Sequence, residues 1–437
     1  MHYFNYMKRP YNMSYICILK CMMVRSLFTT LIVVAITSCY NAYEHKTVIC
    51  IPVYGQSLAL GEEAIRMTDF DSLANYADGR IVTERMDHDF GYFDNNDFKE
   101  FAKRITHYQK RSFELTIYSM AKMLADSLGK DTLICIFPGG QGATSIKDLS
   151  KGTDPYQNFI DDIETAYNTA KERGWDFFVP AICWMQGESD IEDYPGTNYK
   201  KLLKHFQSDI NNDIKNITQQ TKDVRIICYQ TNNVSGGKNF LHDNYNCIEC
   251  NVPESQLELV RDDSLFWASG PTYPYDFVRE RIHIDSISQQ LHGQLAALTA
   301  LDILHNRKQQ RGLLPQEISY KENEIIIKFH VPIPPLTWDT LHVMPPTHYG
   351  FSVITPDNKD IVQTITLQDD CVHILCSKHP QGCRVRYAIN GEKMKSGRRH
   401  GPRGNLRDSQ GDSNKAVISG EIYPLYNWGW QFDIPIE

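Results

Sequence analysis

Residues 177–190 read FFVPAICWMQGESD, a short apolar run that passes directly into a cluster of polar side chains. The run Phe177–Trp184 does not alternate between apolar and polar residues, which is typical of a strand buried on both faces of a parallel sheet. Functional groups in open α/β sheets gather at the carboxyl ends of the strands. The stretch therefore predicts a central strand with a polar site at its end, built from Gln186, Glu188 and Asp190.

Outward from this stretch, strand-like and helix-like patterns alternate along the chain. Three further apolar runs rich in Ile, Val and Cys predict buried strands: Thr47–Val53, Asp131–Phe137 and Val224–Tyr229. Helical periodicity predicts helices over Ser112–Leu128, Tyr156–Arg173, Tyr199–Ile217 and Ser288–His305. This alternation predicts a three-layer α/β/α sandwich with a mostly parallel sheet, spanning residues 40–308.

The pattern changes in residues 309–437, where strand-like pieces are separated by turn signals and no helical periodicity stands out. The predicted strands are Glu324–Val331, Gly350–Ile354, Ile361–Leu367, Cys371–Cys376, Cys383–Ile389 and Ala416–Ile422. This region is predicted to be an all-β, sandwich-like accessory domain. Its basic run between Lys393 and Arg403 lies among Gly and Ser, and we interpret it as a solvated loop.

The amino-terminal residues 1–39 have the pattern of a signal peptide. Thirteen uncharged residues, Ser26–Ser38, follow Arg25, which is too short for a spanning helix but suits an h-region. They end in Ile36-Thr37-Ser38-Cys39, which resembles a bacterial lipobox, so we expect lipidation at Cys39. The expected location is the bacterial cell envelope, on a membrane and facing the periplasm or the surface. A plain secretory signal is the alternative, and Met22 or Met23 is the expected start.

Composition excludes several classes of protein. With 42% hydrophobic and 22% charged residues, the chain is not disordered, collagen-like or a polytopic membrane protein. Residues 1–38 carry four cations and no anion, which leaves 41 cations against 53 anions, a net charge of −12. A chain with this negative net charge is not expected to bind nucleic acid, because the phosphate backbone is also negatively charged. No metal or other cofactor is expected, since no His, Asp or Glu cluster has ligand spacing.

The cysteines fall into two groups. Those inside the apolar runs are expected to be buried small hydrophobic residues: Cys50, Cys135, Cys183 and Cys228. Cys247 and Cys250 could form a local disulfide in an oxidising compartment, and the close set Cys371, Cys376 and Cys383 could supply another.

Four blocks of residues carry chemistry. Gly55-Gln56-Ser57 ends the first strand and precedes a helical-looking Leu58–Met67, so the serine is expected at a helix amino terminus that favours an anion. A glycine turn at Gly142 could aim an amide at an oxyanion, and Gln186 offers carboxamide donors. Glu280 precedes His283 by three residues, a spacing that lets a carboxylate reach the imidazole of a general base.

Together these blocks resemble the SGNH-type carbohydrate esterases, in particular the sialate O-acetylesterase-like and acetylxylan esterase group, over about residues 47–305. The resemblance implies that Ser57 is the nucleophile and His283 the general base. The oxyanion hole would comprise the Ser57 amide, the Gly142 amide and the Gln186 side chain. The family usually has Asp where this chain has Glu280, so Asp276, Asp285 or a simple dyad remain alternatives. Its Gly-Gly-Thr is replaced here by Gly142-Ala143-Thr144, which leaves open which amide faces the hole.

The implied function is a serine esterase that removes O-acetyl groups from a glycan, such as xylan or sialic acid, through an acetyl-enzyme. On this interpretation, Gln186→Ala should reduce turnover more than binding. Candidate substrate-binding residues are Gln56, Trp184, Glu188 and Tyr54, with the Tyr273–Tyr275 region, although core packing is the favoured interpretation for Trp184. Two alternative functions remain: a non-catalytic glycan-binding surface lipoprotein, and an SGNH lipase or thioesterase.

Overall fold

The amino-terminal half of the protein is an α/β structure with a mostly parallel sheet. The computed structural model describes residues 45–84, 90–91, 113–192, 198–232, 251–307, 311–392 and 395–437. Its first ten strands are β1 Thr47–Cys50, β2 Val53–Gly55, β3 Ile81–Glu84, β4 Phe90–Gly91, β5 Thr132–Cys135, β6 Pro138–Gly140, β7 Asp176–Phe178, β8 Ala181–Met185, β9 Arg225–Gln230 and β10 Phe266–Pro271. They pair in the orders β4-β3-β5-β1-β7 and β10-β9-β8-β2-β6, and only the β3–β4 pair is antiparallel among them.

Three predicted strands are each divided into two segments by a short interruption. Strands β1 and β2 are separated at Ile51 and Pro52, β5 and β6 at residues 136–137, and β7 and β8 at residues 179–180. Hydrogen bonds continue across these breaks, since the Ile51 amide donates to Cys135 O (3.0 Å) and the Val53 amide to Phe137 O (3.1 Å). The interruptions therefore bend one sheet, and the four predicted strand runs are confirmed.

Helices cover both faces of this sheet. They are α1 Phe70–Ala74, α2 Thr116–Ser127, α3 Asp154–Glu172, α4 Glu188–Glu192, α5 Tyr199–Thr218, α6 Asn251–Asp262 and α7 Ser286–Leu304. Residues alternate across β1, so Val48 and Cys50 pack with α3, α5 and α6, whereas Ile49 and Ile51 pack with α2 and α7. The two hydrophobic cores confirm the predicted three-layer α/β/α arrangement, and the four predicted helices are present.

The segment after Ser57 is not the helix that its sequence predicts. Residues 57–63 form successive turns, and no α-helix is found between Leu58 and Met67. Gly61 and Glu63 have left-handed backbone angles, with φ of 66° and 64°. A Cβ at Gly61 would lie 2.1 Å from Glu114 O, so the backbone approaches too closely for any other residue. The predicted helix is therefore wrong, and Ser57 lies in a turn.

The carboxyl-terminal region consists mainly of antiparallel sheets. Its elements are β11 Leu314–Lys321, β12 Glu324–His330, β13 Thr337–Trp338, β14 Phe351–Ile354, β15 Val362–Gln368, β16 Cys371–Cys376, β17 Arg384–Tyr387, β18 Leu406–Arg407, α8 Gln410–Ser413, β19 Lys415–Ile418, β20 Glu421–Pro424 and β21 Phe432–Pro435. A four-stranded sheet, β11-β12-β16-β15, accompanies a three-stranded one, β14-β17-β21. The single strand predicted over Ala416–Ile422 is a hairpin, because Ser419 and Gly420 turn the chain with positive φ.

The α/β and β regions share buried contacts. Lys46–Glu437 forms one compact unit, and one hydrophobic cluster includes residues from both regions, such as Tyr273 and Trp430. The buried Gln230 side chain donates to Gln431 O (2.9 Å) and accepts from the Gln431 amide (2.7 Å). The boundary at residues 308–309 stays a prediction.

The described cysteines are all free thiols. Cys50, Cys135, Cys183 and Cys228 are buried in the α/β core, as expected, while Cys371, Cys376 and Cys383 form no disulfide with one another. The predicted lipidation site Cys39 and the pair Cys247 and Cys250 lie outside the described residues. Among the described helices, none is both long and apolar enough to cross a membrane.

Candidate active site

Close backbone contacts at three strand ends bring the predicted blocks together. A Cβ at Gly55 would lie 2.0 Å from Met185 O, and one at Gly140 would lie 1.9 Å from Gly55 O. Gly140 also has φ of 110°, which disfavours any side chain. Because β6, β2 and β8 are adjacent and parallel, their carboxyl ends place Ser57, the Gly142 turn and Gln186 at one edge of the sheet.

Ser57 has unoccupied hydrogen-bonding groups. It is largely buried, and within the described structure its hydroxyl makes no hydrogen bond. The backbone N–H groups of Ser57 and Gly142 likewise donate to no acceptor in the described ranges. Two amides without an internal acceptor beside a serine hydroxyl are what an oxyanion hole requires.

The Gln186 side chain, in contrast, is fully engaged. Its Nε2 donates to Thr144 O (3.1 Å) and Asp190 Oδ2 (2.6 Å), and its Oε1 accepts from the Tyr199 hydroxyl (2.8 Å). An amide nitrogen has two hydrogens, and both are used. This geometry therefore does not support the predicted role of Gln186 as an oxyanion donor. The buried Gln186 side chain instead holds the Gly142–Thr144 turn in place.

Asp190 strengthens the same support. Its Oδ2 accepts from the Ile146 amide (2.9 Å) as well as from Gln186, which links β8 to the segment after the glycine turn. Burial raises the pKa of the Asp190 carboxyl, and the hydrogen bonds from Gln186 and Ile146 oppose that shift. Asp190 therefore holds the turn in place through a buried contact.

Glu188 is also a buried group. Its carboxylate accepts hydrogen bonds from the Tyr229 hydroxyl (2.6 and 2.8 Å) and from the Thr231 hydroxyl. Burial raises the pKa of Glu188, while those two hydroxyls and the charge of His283 lower it. Glu188 follows β8 at the same edge of the sheet, but its carboxylate oxygens are held by Tyr229 and Thr231 and are not presented to a substrate.

Gln56 joins the strand ends and keeps one donor available. Its Oε1 accepts from the amides of Gly187 (3.3 Å) and Ser189 (3.2 Å), which fixes the side chain next to Ser57. Its Nε2 donates to no acceptor within the described residues. Gln56 remains a candidate for a substrate contact.

The aromatic residues predicted to stack against a sugar lie in the core. Tyr54 and Trp184 are fully buried, and Tyr54 packs against Phe159, Trp184 and Phe206. The Trp184 Nε1 donates to the Tyr199 hydroxyl (3.1 Å). Tyr273 and Tyr275 are buried as well. The candidate substrate-binding role of Tyr54 is wrong, because core side chains cover its ring, and for Trp184 the favoured interpretation of core packing agrees with its burial.

His283 contacts a carboxylate that the sequence pattern did not indicate. The Nδ1 of His283 lies 2.8 Å from Glu63 Oε2, and the imidazole is mostly buried. Helix α7 packs near the turn that contains Glu63, since Gln289 Nε2 donates to Leu58 O (3.0 Å) and Ser286 Oγ to Ile65 O (2.5 Å). His283 thus lies beside the turn that begins at Ser57, although no hydrogen bond joins the two side chains in the described structure.

The carboxylates expected to orient His283 have other partners. Glu280 contacts Lys395 Nζ (2.5 Å) and His400 Nδ1 (2.7 Å), and both lower its pKa. Asp276 pairs with Arg398 and Arg399, and Asp285 caps helix α7 by accepting from the Ser288 amide. The predicted Glu280–His283 contact is therefore absent. No sequence signal singles out Glu63, because 220 residues separate it from His283.

Much of the α/β region matches the model of a known protein family. Residues 95–300 match the family model of the sialic acid-specific acetylesterases, a carbohydrate esterase family. The match confirms the resemblance seen in the motifs to the carbohydrate esterases, which are carboxylic ester hydrolases. It includes Gly142, Gln186 and His283, whereas Ser57 and Glu63 precede it. Among curated proteins, no sequence matches the chain.

One solved structure supports the fold, and two others are similar to part of the chain. A carbohydrate acetylesterase from Xanthomonas citri superposes with a TM-score of 0.55 at 14% identity, over 83% of this chain and 77% of that protein. An Arabidopsis thaliana protein has a TM-score of 0.44 at 16% identity, over 59% of this chain and 98% of its own. NanS has a TM-score of 0.38 at 15% identity, over 60% and 99%. The first of these supports the fold across both the α/β and the β regions.

Proposed function

We propose that the protein is a serine esterase that removes O-acetyl groups from a carbohydrate through an acetyl-enzyme intermediate. The observation that carries the proposal is the arrangement around Ser57, a hydroxyl and two amides without internal partners at the carboxyl edge of the sheet, next to the loop that bears His283. The family match to carbohydrate esterases supports the substrate class.

The proposed reaction uses the side chains of Ser57 and His283, the two backbone amides and water. His283 accepts the proton of the Ser57 hydroxyl as the oxygen attacks the acetyl carbonyl carbon. The tetrahedral intermediate collapses when the sugar oxygen leaves and takes that proton from His283. A water molecule then loses a proton to His283 and attacks the acetyl carbon, and His283 passes that proton to the Ser57 oxygen as the acyl bond breaks, which releases acetic acid and restores both side chains.

The amides of Ser57 and Gly142 are the proposed donors to the developing oxyanion. They are backbone groups held by close-packed strand ends, so they need little reorganisation during the reaction. Gln56 Nε2 is the nearest side-chain donor in sequence to Ser57 that has no internal acceptor, and it could bind the acyl or sugar oxygen. Gln186 acts behind this layer, where it holds the Gly142–Thr144 turn.

The test is acetate release by wild type and Ser57→Ala from a chromogenic acetate ester, acetylated xylan and O-acetylated sialic acid. We expect wild-type activity on at least one glycan and its loss in Ser57→Ala. Ser377→Ala, at an exposed position of the β region, is the matched control and should retain activity. A folded wild-type protein that releases no acetate from any ester would leave glycan binding as the better function. Preference for long-chain esters or thioesters would favour a lipase or thioesterase.

We also propose that the protein is an envelope lipoprotein anchored through Cys39. The support is the sequence of residues 25–39, in which an uncharged apolar run ends in Ile-Thr-Ser-Cys. Incorporation of labelled fatty acid in a bacterial host should occur in wild type and be lost in Cys39→Ala. Equal labelling of both would contradict the anchor.

A further inference from the structure

We propose that Glu63, and not the Glu280 indicated by the family pattern, is the carboxylate that positions His283 for catalysis. This inference rests on the proposed serine-esterase function and adds a positioning residue to it. It would place nucleophile and orienting carboxylate six residues apart, on one turn that follows β2.

The contact itself has the geometry of an orienting pair. Glu63 Oε2 lies 2.8 Å from His283 Nδ1, which leaves Nε2 as the ring nitrogen that can face the serine. The imidazole side chain is 14% exposed and the Glu63 side chain 36%, so the pair lies at the edge of the site and is partly shielded from solvent. A carboxylate there fixes the tautomer and stabilises the imidazolium that forms during attack.

The backbone of the turn directs Glu63 toward the imidazole. Glu63 has φ of 64°, a left-handed conformation that is uncommon for a residue other than Gly, Asn or Asp. The turn is tied to Ser57 through the Glu62 amide, which donates to Ser57 O (3.0 Å). Strained conformations of this kind persist where surrounding structure enforces them, often at functional sites.

Glu280 contacts residues other than His283. Its two carboxylate oxygens contact Lys395 and His400, and its backbone oxygen accepts from the Ser396 amide (2.9 Å). Arg279 and Glu280 both have φ of 53°. These left-handed angles interrupt the helical turn that would bring the Glu280 side chain next to His283. Glu280 therefore joins the histidine loop to the β region and leaves His283 Nδ1 to Glu63.

The experiment compares two isosteric substitutions, Glu63→Gln and Glu280→Gln, in the full protein with a chromogenic acetate ester. Glu63→Gln should lower kcat by about 10²- to 10⁴-fold with little change in KM, because the imidazole loses its orienting charge. Glu280→Gln, the matched control, should lower kcat by less than about tenfold, as expected for one partly exposed ion pair.

Proton NMR distinguishes a positioning role of Glu63 from a purely structural one, because only a contact with the imidazole changes the resonance of its N–H proton. An imidazole N–H that donates to a carboxylate gives a far-downfield resonance. We expect this signal in wild type, its loss in Glu63→Gln and in His283→Ala, and its retention in Glu280→Gln. Circular dichroism checks that each variant is folded.

Two results would overturn the proposal. Glu63→Gln with wild-type kcat and an intact downfield signal would exclude Glu63, and loss of both in Glu280→Gln would restore the family pattern. The NMR signal also separates this proposal from the proposed function. If wild type releases no acetate but Glu63→Gln still abolishes the signal, the pairing stands and only the esterase function fails.

Discussion

Gln186 illustrates how a side chain typical of an oxyanion hole can serve a structural purpose. All of its polar atoms have internal partners, and it is fully buried. A buried polar group whose partner is removed costs more than an average hydrogen bond contributes, because the remaining group stays desolvated. If the Gln186 side chain is removed, Thr144 O and the Asp190 carboxylate each lose a hydrogen-bond donor.

We therefore expect Gln186→Ala to lower the free energy of unfolding by about 1–3 kcal/mol, together with a loss of activity as the Gly142 turn loosens. Urea unfolding at pH 7 measures the first effect. Gln157→Ala, at an exposed position of α3, is the matched control and should change the unfolding free energy by less than about 0.5 kcal/mol. Wild-type stability in Gln186→Ala, with kcat reduced by about 10²- to 10³-fold, would instead restore the oxyanion role.

At the scale of elements, strands were easier to predict than the geometry at their ends. Non-alternating runs such as Val224–Tyr229 predict buried parallel strands because both faces pack against helices. The segment after Ser57 looks helical in sequence, but Gly61 approaches Glu114 O too closely to carry a side chain, and this long-range contact is not visible in the local pattern. Strand β10 and helix α6 were not predicted.

The histidine loop shows the same limit. Neighbours in sequence suggest Glu280 for His283, but tertiary contacts assign Glu280 to Lys395 and His400. The basic run that was expected to be a solvated loop is instead docked, in its described part, against residues 275–280. Long-range pairs of this kind are not encoded in local spacing, so a single sequence cannot reveal them.

This docking predicts a pH-dependent stability difference between wild type and Lys395→Ala. The pKa of Glu280 is lowered in the folded protein, first by Lys395 and then by His400, so the ion pair stabilises the fold above the ordinary carboxyl range. That contribution is lost as the pH falls through the lowered pKa. The expected difference at pH 7 is at most about 1 kcal/mol, because the groups are partly exposed and screened by salt.

Thermal unfolding of both proteins between pH 7 and pH 3 measures this effect. The two melting temperatures should differ at pH 7 and converge toward pH 3. Lys415→Ala removes the same charge from the exposed hairpin and is the matched control, for which we expect no such convergence. A Lys395→Ala difference that stays constant with pH would show that packing, and not the Glu280 charge, holds the loop.

At the scale of the whole molecule, the interior behind the site contains a buried histidine that the proposed mechanism does not use. His292 lies on α7, with Nε2 3.4 Å from Ser269 Oγ and Nδ1 3.4 Å from the Tyr275 hydroxyl. The Tyr229 ring packs edge-on against it, so the imidazole is enclosed by uncharged side chains. Burial lowers the pKa of His292 from 6.5 to about 4.

Because the unfolded chain binds a proton at His292 near pH 6.5 and the folded protein only near pH 4, stability should fall as the pH drops between these values. The expected contribution is up to about 3 kcal/mol, on the order of 1.4 kcal/mol for each unit of pKa difference. Urea unfolding from pH 7 to pH 4 should therefore show a shallower loss of stability in His292→Gln than in wild type. Equal slopes of stability against pH would mean that the imidazole is solvated in the folded state. Water would then lie between α7 and β10, and the sheet behind the catalytic residues would be less tightly packed.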